Sequence, residues 1–140
     1  MRDYVYLFTP FLAWFIAGIV KFLINSIKSR RLAFDLIGYG GMPSNHSAIV
    51  CSMVALIAYK EGINNSAFGV AVALAFIVML DASSLRRQVG KHAASINALN
   101  KKFHSGLPIL RERMGHTRYE ILLGAMLGLI VGGSIGYLFS

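Results

Sequence analysis

Three short polar groups interrupt an otherwise apolar chain, and each carries side chains able to handle protons or phosphate. The first is Gly40-Gly41-Met42-Pro43-Ser44-Asn45-His46-Ser47-Ala48. Gly-Gly allows a tight turn with exposed backbone, Pro43 suits a helix entry, and Ser44 or Asn45 can cap. A helix N-terminus presents free N–H groups and the positive end of a dipole, which suits a phosphate. His46 at that end can give or take a proton near neutral pH. Ser-x-His alone equally describes an ordinary capped helix start with an interfacial histidine.

The second group is Gly115-His116-Thr117-Arg118-Tyr119-Glu120. His116 and Glu120 are four apart, so on a helix they share a face. A carboxylate there fixes the imidazole tautomer and makes the other ring nitrogen a better base or nucleophile. Gly124, Gly128, Gly132 and Gly136 continue the stripe at the same spacing, a ladder against which another helix packs closely. The third group is Asp81-Ala-Ser-Ser-Leu-Arg86-Arg87. Paired guanidiniums grip phosphate oxygens well, and Asp81 beside them also makes a structural ion pair.

The elements that hold these groups are read from hydropathy. Of 140 residues, 56% are hydrophobic and only 14% charged, about half the charge of a soluble domain. The mean hydropathy of +0.60 and the single cysteine, Cys51, exclude a soluble globule, a disordered tail and a disulfide scaffold. A net charge of +8 on so apolar a chain does not indicate nucleic-acid binding. Spans are expected at about 4–24, 46–60, 66–85 and 119–139. The first is too long for a signal-peptide core and lacks a small-x-small cleavage site. The second and third are short, their apolar stretches His46–Tyr59 and Ala67–Leu80 of 14 residues each reaching only about 21 Å, and they form a hairpin through 60–66. That hairpin sets His46 and Asp81 at nearly the same depth.

Eleven of the 14 basic residues fall between the first and second spans (Lys28, Arg30, Arg31) or between the third and fourth. The opposite side has Arg2 and Lys60. The positive-inside rule puts both long loops in the cytoplasm and both termini outside. Leu85, Val89, His92, Ile96, Leu99 and Phe103 recur at helical spacing, so 86–103 is expected to be an amphipathic helix on the inner leaflet. The expected fold is a single all-α integral-membrane domain of four transmembrane helices plus that amphipathic helix, spanning residues 1–140. The glycine ladder also suits a homodimer.

With its motifs assembled, the chain resembles the type-2 phosphatidic acid phosphatase superfamily, in its divergent acid phosphatase/vanadium haloperoxidase-related branch. The likeness rests on Gly-Gly-Met-Pro-Ser-x-His-Ser-Ala at 40–48, Asp-Ala-x-x-x-Arg-Arg at 81–87 and Gly-His-Thr-x-x-Glu at 115–120. It implies two-step phosphoryl transfer through a phosphohistidine, without metal or other cofactor. It assigns His116 as nucleophile, Glu120 as its orienting carboxylate and His46 as the acid that protonates the leaving oxygen. Ser44, Asn45, Lys21, Asp81, Arg86 and Arg87 are the corresponding substrate-binding residues. The chain departs from the wider superfamily at several positions. Asn45 replaces a glycine, Leu110 stands where an arginine precedes the nucleophile, and Lys21 is followed at the usual distance by Lys28 instead of Arg-Pro. Arg86 and Arg87 are the substitutes for those arginines.

The resulting expectation is a membrane phosphatase acting on a lipid phosphate monoester or prenyl pyrophosphate at the cytoplasmic leaflet. An inward site suits phosphatidylglycerophosphate or phosphatidate. Two further readings stand beside it: a catalytically inert scaffold that keeps the fold, and a metal site built from His46, Asp81, His116 and Glu120. A shared phosphoryl-transfer site requires the two imidazoles within roughly 8 Å.

Overall fold

The computed structural model describes residues 4–30, 32 and 41–140. Arg2 and Arg31 of the charge count and Gly40 of the first motif lie outside the described residues. All regular structure among the described residues is helical: α1 (Val5–Ser29), α2 (Asn45–Lys60), α3 (Ser66–Ser83), α4 (Leu85–Phe103) and α5 (Arg118–Leu138).

The first helix is longer than its apolar run. It continues to Ser29, so Lys28 belongs to the helix and not to the loop after it. Residues 25–29 contain no breaker, and the Ser29 hydroxyl donates to the Asn25 carbonyl at 2.8 Å. The helix stops where Arg30 turns left-handed, with φ of 51°. Lys21 therefore stands two turns inside the helix.

Three helical runs are long and apolar enough to cross a membrane: Val5–Ser29, Ser66–Phe103 (α3 running into α4) and Arg118–Leu138. The 16-residue α2 is not among them. Its position explains its composition. α2 is the central helix, packed against α1, α3 and α5, while α1 and α3 do not touch each other. Ser47, Ala48, Cys51, Ser52 and Leu56 of α2 are buried, and only Tyr59 is an exposed large apolar residue on it. A helix packed against three others needs less lipophilic surface. α1, α3 and α5 do the reverse, turning Phe8, Phe11, Trp14, Phe76 and Ile130 outward. An apolar exterior around a core of Ala, Ser and Gly is the inverse of a water-soluble bundle.

The glycine ladder is used within the chain. A methyl on Gly124, Gly128 or Gly132 would overlap the carbonyl oxygens of Ser44, Ala48 and Ser52, and one on Gly136 would meet the Tyr59 ring. The facing positions, Ser44, Ala48 and Ser52, are themselves small and four apart, so the two backbones lie against each other over about two turns. At one end of the bundle the Tyr6 hydroxyl donates to Glu61 and Lys60 Nζ donates to the Phe139 carbonyl at 2.8 Å. The three polar groups gather at the other end.

α4 is present as expected. Its apolar line (Leu85, Val89, Ile96, Leu99, Phe103) is exposed. A different face of it is covered by the extended segment 105–117, which returns toward α5. Asn97 clamps that segment, its Nδ2 donating to the Leu110 carbonyl and to Glu112 Oε1, each at 2.8 Å, and its Oδ1 accepting from Leu110 N at 2.9 Å. Gly90 permits the contact, since a Cβ there would overlap the Glu112 carbonyl oxygen.

Candidate active site

Two helix starts meet at the polar end. Ser44 caps α2, its side chain accepting from Ser47 N at 3.4 Å. Thr117 caps α5 through a reciprocal box: its hydroxyl accepts from Glu120 N at 3.3 Å, and its own N–H donates to Glu120 Oε2 at 3.0 Å. The starts are joined directly, because Ser44 N donates to the Glu120 carbonyl at 2.9 Å. His116 N donates to the Ala82 carbonyl at 3.0 Å, which ties the segment to the end of α3. Gly115, with φ of 84°, makes that approach; a Cβ there would stand 2.9 Å from Arg87 Cγ and 3.2 Å from the Ala82 oxygen.

The capping carboxylate has a second task. Glu120 Oε2 faces His116 Nδ1 at 3.1 Å. A carboxylate only accepts, so Nδ1 carries the proton and Nε2 keeps a free lone pair. The His116 ring is buried and its centroid lies 6.0 Å from that of His46, with the planes tilted by 57°. The histidines are thus within the separation one phosphoryl group requires. Burial lowers the pKa of His116 below its ordinary value of 6.5, helped by the positive charges of Lys21 and Arg86 and opposed by the hydrogen bond and charge of Glu120. At neutral pH the imidazole is therefore unprotonated at Nε2.

The other charges are not equivalent. Arg86 Nε pairs with Asp81 Oδ2 at 2.8 Å, and the Arg86 charge also reaches both histidines. Lys21 acts on both histidines and on Glu120, and Asp81 acts on His46. Arg87 is exposed, its stem lies over Gly115, and its charge is not among those acting on either histidine. Asn45 Oδ1 and His46 Nδ1 are buried without a hydrogen-bond partner. Buried polar atoms are nearly always paired, so both are open to a hydrogen bond with water or a ligand. Among the described residues no group of three His, Cys, Asp or Glu is placed to hold a metal.

One contributor escaped the sequence reading. Asn25, one turn beyond Lys21, places its amide against the turn at Gly41, whose Cβ position lies 3.6 Å from Asn25 Oδ1. Its only signal was the four-residue spacing from Lys21 on the same helix.

Residues 3–131 match the family described as the Divergent PAP2 family. The chain belongs to this divergent PAP2 family. It is also 32% identical over 139 residues to the uncharacterized membrane protein YuiD of Bacillus subtilis (strain 168), with 88% of each chain covered. No solved structure matches. The divergent PAP2 match contains every candidate residue from Lys21 to Glu120, and the chain, similar to a membrane protein, is itself a membrane protein with several apolar helices.

Proposed function

We propose that this divergent PAP2 protein is a lipid phosphate phosphatase that works through a phosphohistidine on His116. The carrying observation is the 6.0 Å pairing of His46 with a His116 whose Nδ1 is held by Glu120. Nε2 of His116 attacks phosphorus while the bond to the leaving oxygen breaks, and His46 supplies the proton that oxygen needs. In the second step water attacks, the P–N bond breaks, and His46 takes the proton from the water. Ser44 and the first amides of α2, with Lys21 and Arg86, balance the charge of the phosphoryl oxygens. Asn45 and Asp81 complete the pocket, Asp81 by orienting Arg86.

In this reading α1, α2, α3 and α5 make four crossings as one domain, with α4 at the cytoplasmic surface. The basic residues at the end of α1, along α4 and in the segment 105–118 lie at the end that carries the site, so the positive-inside rule favours a cytoplasmic site with the termini outside. A phosphate monoester made inside the cell, such as phosphatidylglycerophosphate or phosphatidate, then reaches the site from its own leaflet. Prenyl pyrophosphates share the required chemistry.

The test is phosphate release from a panel of lipid phosphates in detergent. Wild type is expected to release phosphate, and His116→Ala and His46→Ala to lose at least about 100-fold in rate. No release from any lipid by wild type would instead assign the chain to an inert scaffold, a reading supported by Arg87, whose charge acts on neither histidine.

A further inference from the structure

α1 and α3 leave a gap between them, and its floor is the apolar face of α2. The result is a groove of about 620 Å³, within the range of small-molecule sites. Ile49, Met53 and Ile57 form the floor, Pro10 lies on the α1 side, and Val70 and Leu74 form the α3 wall. Ser66, at the outer start of α3, is the one polar side chain in this lining.

No residue of the candidate active site lines the groove; its lining comes nearest to the site at Ile49, about one turn from His46, and at Leu74, about two turns from Asp81. On α2, His46 precedes Ile49, Met53 and Ile57 at spacings of three, four and four, so all four share one face. On α3, Val70, Leu74 and Asp81 share a face by the same rule, and on α1 Lys21 lies three turns below Pro10. Each helix bordering the groove therefore carries, on its groove-facing stripe and at the same end, one polar residue of the phosphate site. An amphiphile laid here has its charged head among Lys21, His46 and Asp81–Arg86 and its tail against α2.

We infer that this groove binds one hydrocarbon chain of the phosphorylated substrate, along the roughly 16 Å between His46 and Ile57. Lys21, His46 and Asp81, gathered at one end of the three bordering helices, favour an amphiphile with a charged head over a wholly apolar helix of a second copy. The inference rests on the phosphatase reading for the head group, but the chain site makes its own demand: the substrate must be a lipid, and short-chain phosphates lose this contact.

A phosphatidic acid with a photoreactive diazirine midway along one acyl chain, in nanodiscs, tests it. Labelling is read by peptide mass spectrometry on wild type, Met53→Trp and Val70→Trp, the second variant altering an exposed wall position. Label concentrated between Ile49 and Ile57 and on the α3 wall, reduced about tenfold by either tryptophan, supports the site. In phosphate release, both variants are expected to raise KM for long-chain substrate about tenfold while turnover of a dibutyryl analogue is unchanged. Label spread evenly over the outward faces, including Phe76, or indifferent to both variants, overturns the inference even if wild type releases phosphate. Focused label without phosphate release sinks the phosphatase reading and leaves the chain site standing. A chain-to-chain crosslink within the groove assigns it to a second copy and overturns the proposal.

Discussion

Ser44 N donates to the Glu120 carbonyl at 2.9 Å, so the first residue before α2 is fastened to the first turn of α5. Through this bond the helix whose first turn carries His46 and the helix that begins beside His116 share one rigid end. The ladder below it keeps their backbones at fixed separation. Imidazoles placed on such a frame need little reorganisation to act together.

That frame gives a contrast between adjacent glycines. Gly132→Ala places a methyl on the Ser52 carbonyl oxygen and is expected to cost about 1–3 kcal/mol. Gly133→Ala has open space around it and should be neutral or stabilising by up to about 1 kcal/mol, since alanine favours the helix. Thermal unfolding in detergent measures both. Equal effects would mean that α5 does not pack on α2 through this face.

The state of His116 sets a pH dependence. Its lowered pKa keeps the imidazole neutral to below pH 6.5, so kcat/KM should hold down to that value and fall only on more acidic titration. Glu120→Gln removes the negative charge that supports the imidazolium. The acid limb is then expected to move to lower pH while the rate falls about 10²- to 10⁴-fold. A limb that moved upward would contradict this role for Glu120.

Arg86 and Arg87 should separate in kinetics. Arg86→Gln removes a cation that reaches both histidines and is expected to raise KM about 10- to 100-fold for a lipid phosphate. Arg87→Gln removes an exposed head group and should leave KM within about twofold. Steady-state assays at fixed ionic strength distinguish them, and equal losses would show that both guanidiniums bind the phosphate.

The segment 105–117 carries His116 into place, and Asn97 holds it by three hydrogen bonds. Asn97→Ala is expected to weaken that attachment by about 1–3 kcal/mol. Trypsin should then cut faster at the exposed Arg111 and Arg113, with activity falling in parallel. Unchanged cleavage would place the stability of the segment elsewhere.

Much of this was legible along the chain, because local spacing encodes it. The carboxylate four residues after His116 marks the His116–Glu120 pair without any tertiary information, although His116 lies before the cap of α5 and not on the helix. The three-four recurrence from Leu85 to Phe103 marks α4, and the gathering of basic residues in two segments marks one end of the bundle. Periodicity failed where an apolar run and a helix differ in length: charge at Lys21 and Lys28 ended the apparent span, yet nothing there breaks a helix.

The sequence by itself determined the membrane class, the helical elements and the residue types available for phosphate chemistry, since these follow from composition and short-range spacing. Only the tertiary structure decided which helix fills the glycine ladder, which of two adjacent arginines faces the histidines, and that α1 and α3 stand apart over α2. The physical reason is range. A helix turns 100° per residue, so neighbours such as Arg86 and Arg87 diverge, and which faces meet depends on the shape of surfaces distant in the chain.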